Sequence, residues 1–314
     1  MHSKLRLAIV TGAGGGLGRA FCMQLAGASN WHIVAIDVDE PAGRKTVALM
    51  AERQATASAG GGEFVRLDVT DRDAWRQLAD RLATDVERGI VPSPALLVNN
   101  AGVCAAGEVL GAGEPLDNRD PWRRLMEVNF FGALNGCHAI GPLLRQAARV
   151  PCPRPRGHVE PPESMATSAD LRGHATHPAV INVASIFGLL PAPSLGAYSA
   201  SKAAVVALSE ALYAELRPVG VGVTIVAPGF FQSGLLERGE FPNDLHRAEA
   251  ERRSRVAKFG AADVARAALA ASAHGQLYCV MGRRARWLWR LKRLAPGALH
   301  RFVARRYHRT FPEP

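Results

Sequence analysis

The sequence lacks the features that mark exported, membrane-spanning or metal-binding proteins. Near its beginning, the apolar run at residues 5–10 is too short for the core of a signal peptide and far too short to span a bilayer. The five cysteines have no CxxC spacing and are odd in number, which favours reduced thiols over a disulfide framework or a zinc site. We therefore expect a cytoplasmic protein without a bound metal.

Acidic residues are nearly absent from one segment of the chain. Residues 281–314 hold ten of the 38 Lys and Arg residues but a single acid, Glu313, so they carry nearly all of the net charge of +10. The preceding residues are close to neutral and contain no internal repeat. We predict one large domain over residues 1–282 and a separate basic tail over 283–314.

Apolar, β-rich runs alternate with helical stretches along the first 282 residues. This alternation predicts an α/β fold, a doubly wound (Rossmann) parallel sheet of about seven strands with helices on both faces. The predicted strands are residues 5–10, 32–36, 64–67, 96–98, 180–183, 221–226 and 277–280. The predicted helices are residues 17–28, 41–56, 72–87, 121–149, 197–217 and 262–273.

Glycines follow the first predicted strand in the stretch TGAGGGLG, residues 11–18. Gly12, Gly16 and Gly18 let the backbone turn tightly, approach a pyrophosphate and begin a helix whose N-terminal amides face the anion. No Lys-Ser or Lys-Thr pair follows them, so a P-loop is disfavoured. The pattern favours a dinucleotide site at the carboxyl ends of the strands, where such sheets bind ligands.

Asp37, at the end of the second predicted strand, indicates which dinucleotide binds. A carboxylate there accepts hydrogen bonds from the adenosine ribose and repels a 2′-phosphate. The glycine turn supplies no cation to offset that repulsion, and Val38 stands where a phosphate-binding Arg would lie. NAD is therefore favoured, and a reductase that uses NADPH stays an alternative.

Tyr198 and Lys202 share one face of a predicted helix in the stretch AYSASKAAV. A phenol, with an ordinary pKa of about 10, is a poor base at neutral pH, but a nearby ammonium group lowers that pKa. Ser185, just after a predicted strand, is placed to donate a hydrogen bond to a carbonyl oxygen. Taken alone, the Tyr-Lys pair is better explained as two surface residues.

An ordered set of motifs favours the catalytic interpretation. The chain resembles the short-chain dehydrogenase/reductase family, in its single-domain form, over roughly residues 5–282, in an order typical of that family. The matching residues are TGxxxGxG (Thr11, Gly12, Gly16, Gly18), an adenine-pocket acid (Asp68), NNAG (Asn99, Asn100, Ala101, Gly102), Asn129, Ser185, YxxxK (Tyr198, Lys202) and PG (Pro228, Gly229).

The resemblance implies an oxidoreductase that interconverts a secondary alcohol and a ketone with NAD or NADP. Tyr198 would exchange a proton with the substrate oxygen, which Ser185 steadies. Lys202 would bind the nicotinamide ribose and lower the pKa of the tyrosine, and Asn129 would hold a water of a proton relay. The implied cofactor contacts are Thr11, Gly12, Gly14, Gly16, Leu17, Gly18, Asp37, Asp68, Val69, Asn100, Ala101, Gly102, Tyr198, Lys202, Pro228, Gly229 and Ser233.

Three segments bear on what the family pattern leaves open. Ser233 stands after the PG motif, where many relatives have a Thr. Residues 150–178 contain six prolines and lengthen a usually short link, which predicts a surface loop without a function. Residues 229–259 should cap the substrate. Their apolar side chains favour a hydrophobic alcohol or ketone, unless they pack the cap onto the core; these are Phe230, Phe231, Leu235 and Leu236.

The basic tail predicts two amphipathic helices separated by Pro296-Gly297. Such helices either lie on anionic lipid or pack on the body or on a neighbouring subunit. Nucleic acid is a poorer partner, because the apolar faces would be left exposed on a duplex. In the first helix the predicted apolar face is Trp287, Leu288, Leu291, Leu294 and Ala295, flanked by Arg286, Arg290, Lys292 and Arg293; Leu299, Phe302, Val303 and Tyr307 outline the second.

The long predicted helices 121–149 and 197–217 carry apolar residues on more than one face. In relatives these helices form a dimer interface, so we expect a homodimer or homotetramer. A second class of function stays open, namely a nucleotide-binding regulatory or scaffold protein that kept the fold and lost turnover.

Overall fold

Seven short apolar segments pair as the strands of one parallel sheet in the computed structural model. They are β1 (Arg6–Thr11), β2 (Trp31–Asp37), β3 (Gly61–Arg66), β4 (Pro94–Asn99), β5 (Ala179–Val183), β6 (Gly222–Ala227) and β7 (Tyr278–Val280). Their order, β3-β2-β1-β4-β5-β6-β7, reverses between β1 and β4, as in a doubly wound sheet. The structure describes residues 5–28, 30–54, 60–107, 109, 120–148, 177–231, 239–241 and 243–310.

Helices cover both faces of this sheet. Alternate residues of β1 point into two different apolar clusters, Ala8 and Val10 into one and Leu7 and Ile9 into the other. The helices are α1 (Gly16–Ala26), α2 (Glu40–Gln54), α3 (Arg72–Glu87), α4 (Pro121–Leu125), α5 (Gly132–Ala147), α6 (Ile186–Leu189), α7 (Gly196–Leu216), α8 (Asp244–Arg255), α9 (Ala261–Ala273), α10 (Arg283–Leu294) and α11 (Pro296–Thr310).

The fold class and all seven strands are confirmed, but one strand begins three residues earlier than predicted and one predicted helix is interrupted. Strand β3 begins at Gly61 rather than at residue 64, because Gly61 and Gly62 continue the parallel register opposite His32 and Ile33. Glycine is depleted in strands, which is why the sequence concealed this start. The predicted helix 121–149 is not continuous, since a π-helix, Met126–Phe131, separates α4 from α5.

Helix α8 lies within the predicted cap, at Asp244–Arg255, and its N-cap Asn243 accepts a hydrogen bond from the His246 N–H at 3.0 Å. The tail forms the two predicted helices, α10 and α11, on either side of Ala295. Most of the proline-rich segment 150–178 lies outside the described residues. Across the described part of the chain, none of the helices is both long and apolar enough to cross a membrane.

Candidate active site

The glycine turn after β1 is packed backbone against backbone. Gly12 has a φ of 65°, in the left-handed region that favours glycine. A Cβ on Gly18 would lie 1.9 Å from the Gly12 carbonyl oxygen, and a Cβ on Gly12 would lie 2.9 Å from the Cα of Ala101. The turn therefore fixes the start of α1 against the segment that follows β4.

Thr11 ties this turn to the segment after β4. Its hydroxyl oxygen accepts hydrogen bonds from the backbone N–H groups of Asn100 at 2.9 Å and Ala101 at 3.0 Å, and it donates to the Val98 carbonyl. The Asn100 side chain donates in return to the Thr11 carbonyl oxygen at 2.9 Å. The side chains of Thr11 and Asn100, both predicted as cofactor contacts, therefore hold the shape of the turn.

The start of α1 fits the phosphates of a dinucleotide. Gly15, which precedes the helix, provides no side-chain cap for its first backbone amides, and a Cβ there would enter open space. Uncapped amides at a helix N-terminus bind anions. Leu17 packs its side chain into the core, so a phosphate contact from this predicted residue must come from its backbone.

Asp37 lies beside the turn at the end of β2. One carboxylate oxygen accepts from the Gly14 N–H at 2.7 Å, and the other accepts from the Asp39 N–H at 3.0 Å. A carboxylate has about four acceptor sites, so both oxygens keep capacity for a hydroxyl group. The position is compatible with the predicted contact to the adenosine ribose.

Arg19 is a cation near this site that the sequence-based prediction missed. Its guanidinium donates to the Gly14 carbonyl oxygen, and its Nε donates to the Thr46 hydroxyl at 2.9 Å. The prediction considered only cations inside the turn, whereas Arg19 lies just after its last glycine. Through these hydrogen bonds, Arg19 holds the turn against α2.

Asp68 and Val69 follow β3 and differ in exposure. Asp68 is exposed, and one of its oxygens accepts from both the N–H and the hydroxyl of Thr70. Val69 is buried, and its carbonyl oxygen accepts from the indole N–H of Trp75 at 3.1 Å. The second Asp68 oxygen is the more suitable group to meet an adenine.

The PG motif follows β6. The Pro228 carbonyl oxygen accepts from the Ile186 N–H at 2.8 Å, which joins this segment to the start of α6. A Cβ on Gly229 would meet nothing within 4 Å, so steric crowding does not require glycine there. Ser233, the predicted carboxamide contact, lies outside the described residues.

Four predicted catalytic residues come together near the carboxyl ends of β4 and β5. Ser185, Tyr198, Lys202 and Asn129 are each 6% exposed or less. The Ser185 hydroxyl lies close enough to Tyr198 to lower the pKa of that phenol. Lys202 lies one turn further along α7 and donates to the Val183 carbonyl oxygen at 2.9 Å.

The direction of the Tyr198 pKa differs from the prediction. Burial raises the pKa of Tyr198 above its ordinary value; the Cys104 thiol adds to this, and the hydrogen bond with Ser185 acts in the opposite direction. Burial also lowers the pKa of Lys202 to about 8. Without a cofactor, desolvation outweighs any help from the lysine charge, so Tyr198 is a neutral phenol and a proton donor.

Asn129 lies in the π-helix, an element often found at functional sites. Its Nδ2 donates to the Val103 carbonyl at 3.0 Å and to the Ser201 hydroxyl at 2.9 Å, and its Oδ1 accepts from the Val103 N–H. A Cβ on Gly102 would lie 2.9 Å from Oδ1 and 3.3 Å from Lys202 Nζ. A relay water would therefore have to donate to Oδ1, because both Nδ2 hydrogens are already used.

Cys104 is a second residue that the sequence-based prediction missed. It is buried in an apolar cluster with Tyr198 and Leu125, close enough to interact electrostatically with both Tyr198 and Lys202. Burial raises the pKa of its thiol to about 11, so Cys104 contributes a neutral, apolar wall. Its position two residues after NNAG was the available signal.

Comparison with known proteins identifies the family. Residues 6–150 and 166–240 match the family described as short chain dehydrogenase. The chain belongs to the short chain dehydrogenase family.

Individual members of the family resemble the chain over most of its length. It is 34% identical over 230 residues to a Mycobacterium tuberculosis protein named "Probable oxidoreductase EphD", covering 73% of this chain but only 32% of that protein. It is 26% identical over 235 residues to a cyclopentanol dehydrogenase from Comamonas, covering 74% and 76% of the two chains. The chain thus spans about a third of the length of EphD.

Two solved structures show the same fold with different cofactors. A short chain dehydrogenase/reductase from Burkholderia phymatum in complex with NAD is 30% identical, has a TM-score of 0.72 and covers 95% of this chain and 96% of that one. A short chain dehydrogenase from Burkholderia cenocepacia in complex with NADP is 25% identical, with a TM-score of 0.67 and coverages of 96% and 99%. Members of the family therefore bind NAD or NADP.

In this short chain dehydrogenase, three separate segments meet beside Tyr198. Residues 104–106 pair with Glu240 of the cap, through Ala106 N–H to the Glu240 carbonyl at 2.8 Å. The next residue, Gly107, donates to the Ser194 carbonyl at 2.8 Å. Arg124 of α4 adds an ion pair with Glu240. These contacts hold Glu240 of the predicted cap and the loop before α7 against residues 104–107, which follow β4.

The tail of this short chain dehydrogenase packs on the body with a different face from the predicted one. Trp289 contacts Tyr278, with ring centroids 4.7 Å apart, and Lys292 donates to the Leu189 carbonyl at 2.7 Å. Trp287 and Leu294, both on the predicted apolar face, are 61% and 85% exposed. Helical periodicity permits more than one apolar stripe in a helix with two tryptophans and three leucines, and it cannot choose the stripe that meets the body.

Proposed function

We propose that the chain is an NAD-dependent oxidoreductase that interconverts a hydrophobic secondary alcohol and its ketone. The observation that carries the proposal is the buried group of Tyr198, Ser185 and Lys202 beside a glycine turn that fits a dinucleotide. Contacts link the two parts, since the turn packs on Ala101 and the adjacent Gly102 packs on Lys202. One set of strand ends therefore holds both the proton-transfer group and the cofactor cradle.

A bound nicotinamide would supply or accept the hydride, and the chain's own residues handle the proton. In the reduction of a ketone, Tyr198, a neutral phenol, donates its proton to the carbonyl oxygen and becomes a phenolate; in the reverse direction the phenolate accepts the proton of the alcohol hydroxyl. Ser185 donates a hydrogen bond to the same oxygen and orients it. Lys202 supplies positive charge beside the phenol, and Oδ1 of Asn129 accepts a hydrogen bond from a water that reaches Lys202.

The surroundings of Tyr198 support an apolar substrate. Its buried neighbours include Cys104, Ala105 and Leu125. Phe187 and Phe230 pack edge to face, with ring centroids 5.4 Å apart, and join α6 to the segment that begins the cap. Such a lining favours a molecule with a large hydrocarbon part around the reacting carbon. The likeness to a cyclopentanol dehydrogenase adds support for an alcohol substrate.

The preference for NAD rests on Asp37. A ribose hydroxyl can donate to this carboxylate, whereas a 2′-phosphate would place like charges together. Arg19 keeps its positive charge, because its hydrogen-bond partners, the Gly14 carbonyl and the Thr46 hydroxyl, are neutral, so this cation weakens the preference for NAD without removing the Asp37 carboxylate that carries it.

Reduction of the cofactor tests the proposed reaction. The protein is incubated with NAD or NADP and a panel of secondary alcohols of increasing hydrocarbon size, and absorbance of the reduced cofactor is followed. We expect reduction of NAD with the more apolar alcohols. Tight NAD binding without reduction across the panel would instead favour a regulatory or scaffold protein.

We also propose self-association through α7 and the segment of α4, the π-helix and α5, which corresponds to the predicted helix 121–149. Phe131, at the end of the π-helix, is 40% exposed and packs edge to face with Phe130, which leaves an aromatic pair at the surface. Light scattering of the full chain should give the mass of a dimer or tetramer, and a monomer at micromolar concentration would count against this interface.

The outward side of the tail supports the predicted contact with anionic lipid. Trp287 and Leu294 lie two turns apart on α10 and are exposed, with the exposed Arg283 and Arg290 between and beside them. Phe302 of α11 is also exposed. Aromatic and aliphatic side chains among arginines are typical of helices that lie in the membrane interface.

Vesicle co-sedimentation tests this contact with the full chain. Binding to vesicles containing phosphatidylserine, but not to phosphatidylcholine vesicles, is expected. A variant with Trp287, Leu294 and Phe302 changed to Ser should lose it. The control changes three exposed apolar residues elsewhere, Ile90, Leu245 and Val256, to Ser. Equal binding by both variants would remove the lipid proposal.

A further inference from the structure

The loop between α6 and α7 contains an unusual residue just before the catalytic tyrosine. Ser194 has a φ of 61°, the one non-glycine residue with a positive φ in the described part of the chain, and it is 8% exposed. A side chain in the left-handed region is unfavourable for serine and persists only where surrounding contacts hold it. Something in the structure must therefore fix this loop.

Two side chains from distant segments meet the Ser194 hydroxyl. The Ser194 hydroxyl oxygen lies 3.0 Å from the Tyr307 hydroxyl oxygen of α11 and 3.1 Å from Nε2 of His246 in α8. Because each hydroxyl can donate as well as accept, both contacts can be made together, with Ser194 donating to one partner and accepting from the other. His246 is itself held, because its Nδ1 lies 2.8 Å from Oδ1 of Asn243, the N-cap of its helix.

The loop forms part of the substrate wall. Leu195 and Ala197, on either side of the start of α7, pack against the apolar cluster that contains Tyr198. The tail also contacts the other end of the loop, where Lys292 donates to the Leu189 carbonyl. Displacement of Ser194 would therefore move apolar side chains that stand next to the reacting group, while the glycine turn would not be touched.

We propose that Tyr307 of the basic tail and His246 of the cap are positioning residues that act through Ser194 to hold the 190–195 loop against Tyr198. The tail thereby completes the substrate site from outside the sheet. The expected effect of these contacts on catalysis rests on the proposed function, but their expected effect on the order of the loop does not. The expected effect falls on substrate binding, with cofactor binding unchanged.

Hydrogen exchange of the cofactor-free full chain tests the contact without any need for turnover. Tyr307→Phe removes only the hydroxyl. Loss of one hydrogen bond should speed exchange in peptides covering residues 190–197 by about three- to tenfold. The matched control is Tyr213→Phe, whose hydroxyl contacts Arg217 at the far end of α7. Unchanged exchange in Tyr307→Phe, or an equal change in the control, would overturn the proposal.

A double-mutant cycle asks whether Tyr307 acts through Ser194. Ser194→Ala should speed exchange of the same peptides, and adding Tyr307→Phe to it should have little further effect, because the contact is already gone. Fully additive effects would contradict the proposal. With an alcohol that the wild type oxidises, Tyr307→Phe should raise KM for the alcohol about three- to tenfold and leave kcat and KM for NAD within twofold. A fall in kcat with KM unchanged would contradict the positioning role, whereas no turnover by the wild type would count only against the proposed function.

Discussion

The body and the tail of this chain differ in how closely their sequences specify their structures. In the body, an ordered set of short motifs places glycines, a Tyr-Lys pair and a serine at the ends of neighbouring strands, and these residues meet as expected. In the tail, amphipathic periodicity correctly predicts two helices but does not specify which side of the first one meets the body. A motif fixes a residue through backbone geometry, whereas periodicity only offers a set of possible stripes.

The two regions also differ in what burial does to their polar groups. Tyr198 and Lys202 are almost fully buried, and desolvation shifts both pKa values strongly. The tail has Leu299 as its one buried residue among those described, and its arginines lie mostly at the surface. Chemistry is therefore expected from the body, and attachment or support from the tail. Matched substitutions in the two regions test this difference.

The largest expected difference is between two tyrosines. Tyr198→Phe removes the proton donor and should lower kcat by about a thousandfold or more, within the usual range for general acid-base catalysis. Tyr307→Phe, the same change in the tail, should leave kcat within twofold. NADH binding by Tyr198→Phe, measured by fluorescence titration, should stay within a few-fold of the wild type. Normal turnover by Tyr198→Phe would refute the catalytic assignment.

Two glycines provide the next comparison. In Gly18→Ala the new Cβ would lie 1.9 Å from the Gly12 carbonyl oxygen, so the turn must shift. We expect Tm to fall by about 5 °C or more, since overpacking costs about 1–3 kcal/mol. A Cβ on Gly297 of α11 would meet only the end of Arg301 at 3.4 Å, so Gly297→Ala should hold or slightly raise Tm. Equal losses by thermal denaturation would mean that the turn is not rigid.

The residues of the site that could be predicted are those whose role depends on local backbone chemistry. Residue type and spacing alone indicate the roles of Gly12, Gly18, Asp37 and the Tyr-Lys pair. Arg19 and Cys104 were missed because neither belongs to a motif; each lies close to one in the chain, but only the folded chain shows its contacts with the site. The raised pKa of Tyr198 could not be foreseen either, since burial is a property of the surrounding packing.

A smaller effect is expected on cofactor choice. Asp37→Ser removes the carboxylate that disfavours a 2′-phosphate and accepts from ribose, so NAD affinity should fall about tenfold while NADP affinity rises. A chain ending at residue 282 should keep the wild-type preference, because the side-chain contacts described for residues 283–310 lie away from the glycine turn. Titration with both cofactors checks this. An unchanged preference in Asp37→Ser would show that another group selects the cofactor.

The smallest expected effect separates two lysines that each donate to a backbone carbonyl. The pKa of Lys202 is lowered to about 8 from an ordinary value of 10.5, so the unfolded chain binds the extra proton between these values. Burial of charged Lys202 therefore lowers the free energy of unfolding by its full amount below pH 8. This loss becomes smaller as pH rises above 8. Relative to Lys202→Met, the wild type should gain up to about 1 kcal/mol per pH unit between pH 8 and 9.5.

Comparison with Lys202→Met removes the contributions of the cysteines and Tyr198 to the pH dependence, because these groups titrate in both proteins. Lys292→Met, in the tail, should keep the pH dependence of the wild type because Lys202 is still present. Urea denaturation at several pH values measures these differences. A constant difference between wild type and Lys202→Met across this range would contradict the burial effect.

The inward face of α11 is a second feature of the tail that its sequence alone does not specify. Leu299, Val303 and Tyr307 form the inward stripe of α11, with Leu299 buried, whereas Phe302, assigned to the same face, is exposed. The inward stripe is chosen by partners such as Ser194, which lies 113 residues away in the chain. No local pattern contains that information.

A crystal structure with NAD and an apolar ketone bound tests the central claim most directly. It should show the Tyr198 oxygen about 2.6–3.2 Å from the ketone oxygen, with the Ser185 hydroxyl on the same atom and the cofactor's phosphates at the start of α1. A ketone bound at the strand ends with the Tyr198 hydroxyl turned away from it would contradict the claim that this phenol transfers the proton.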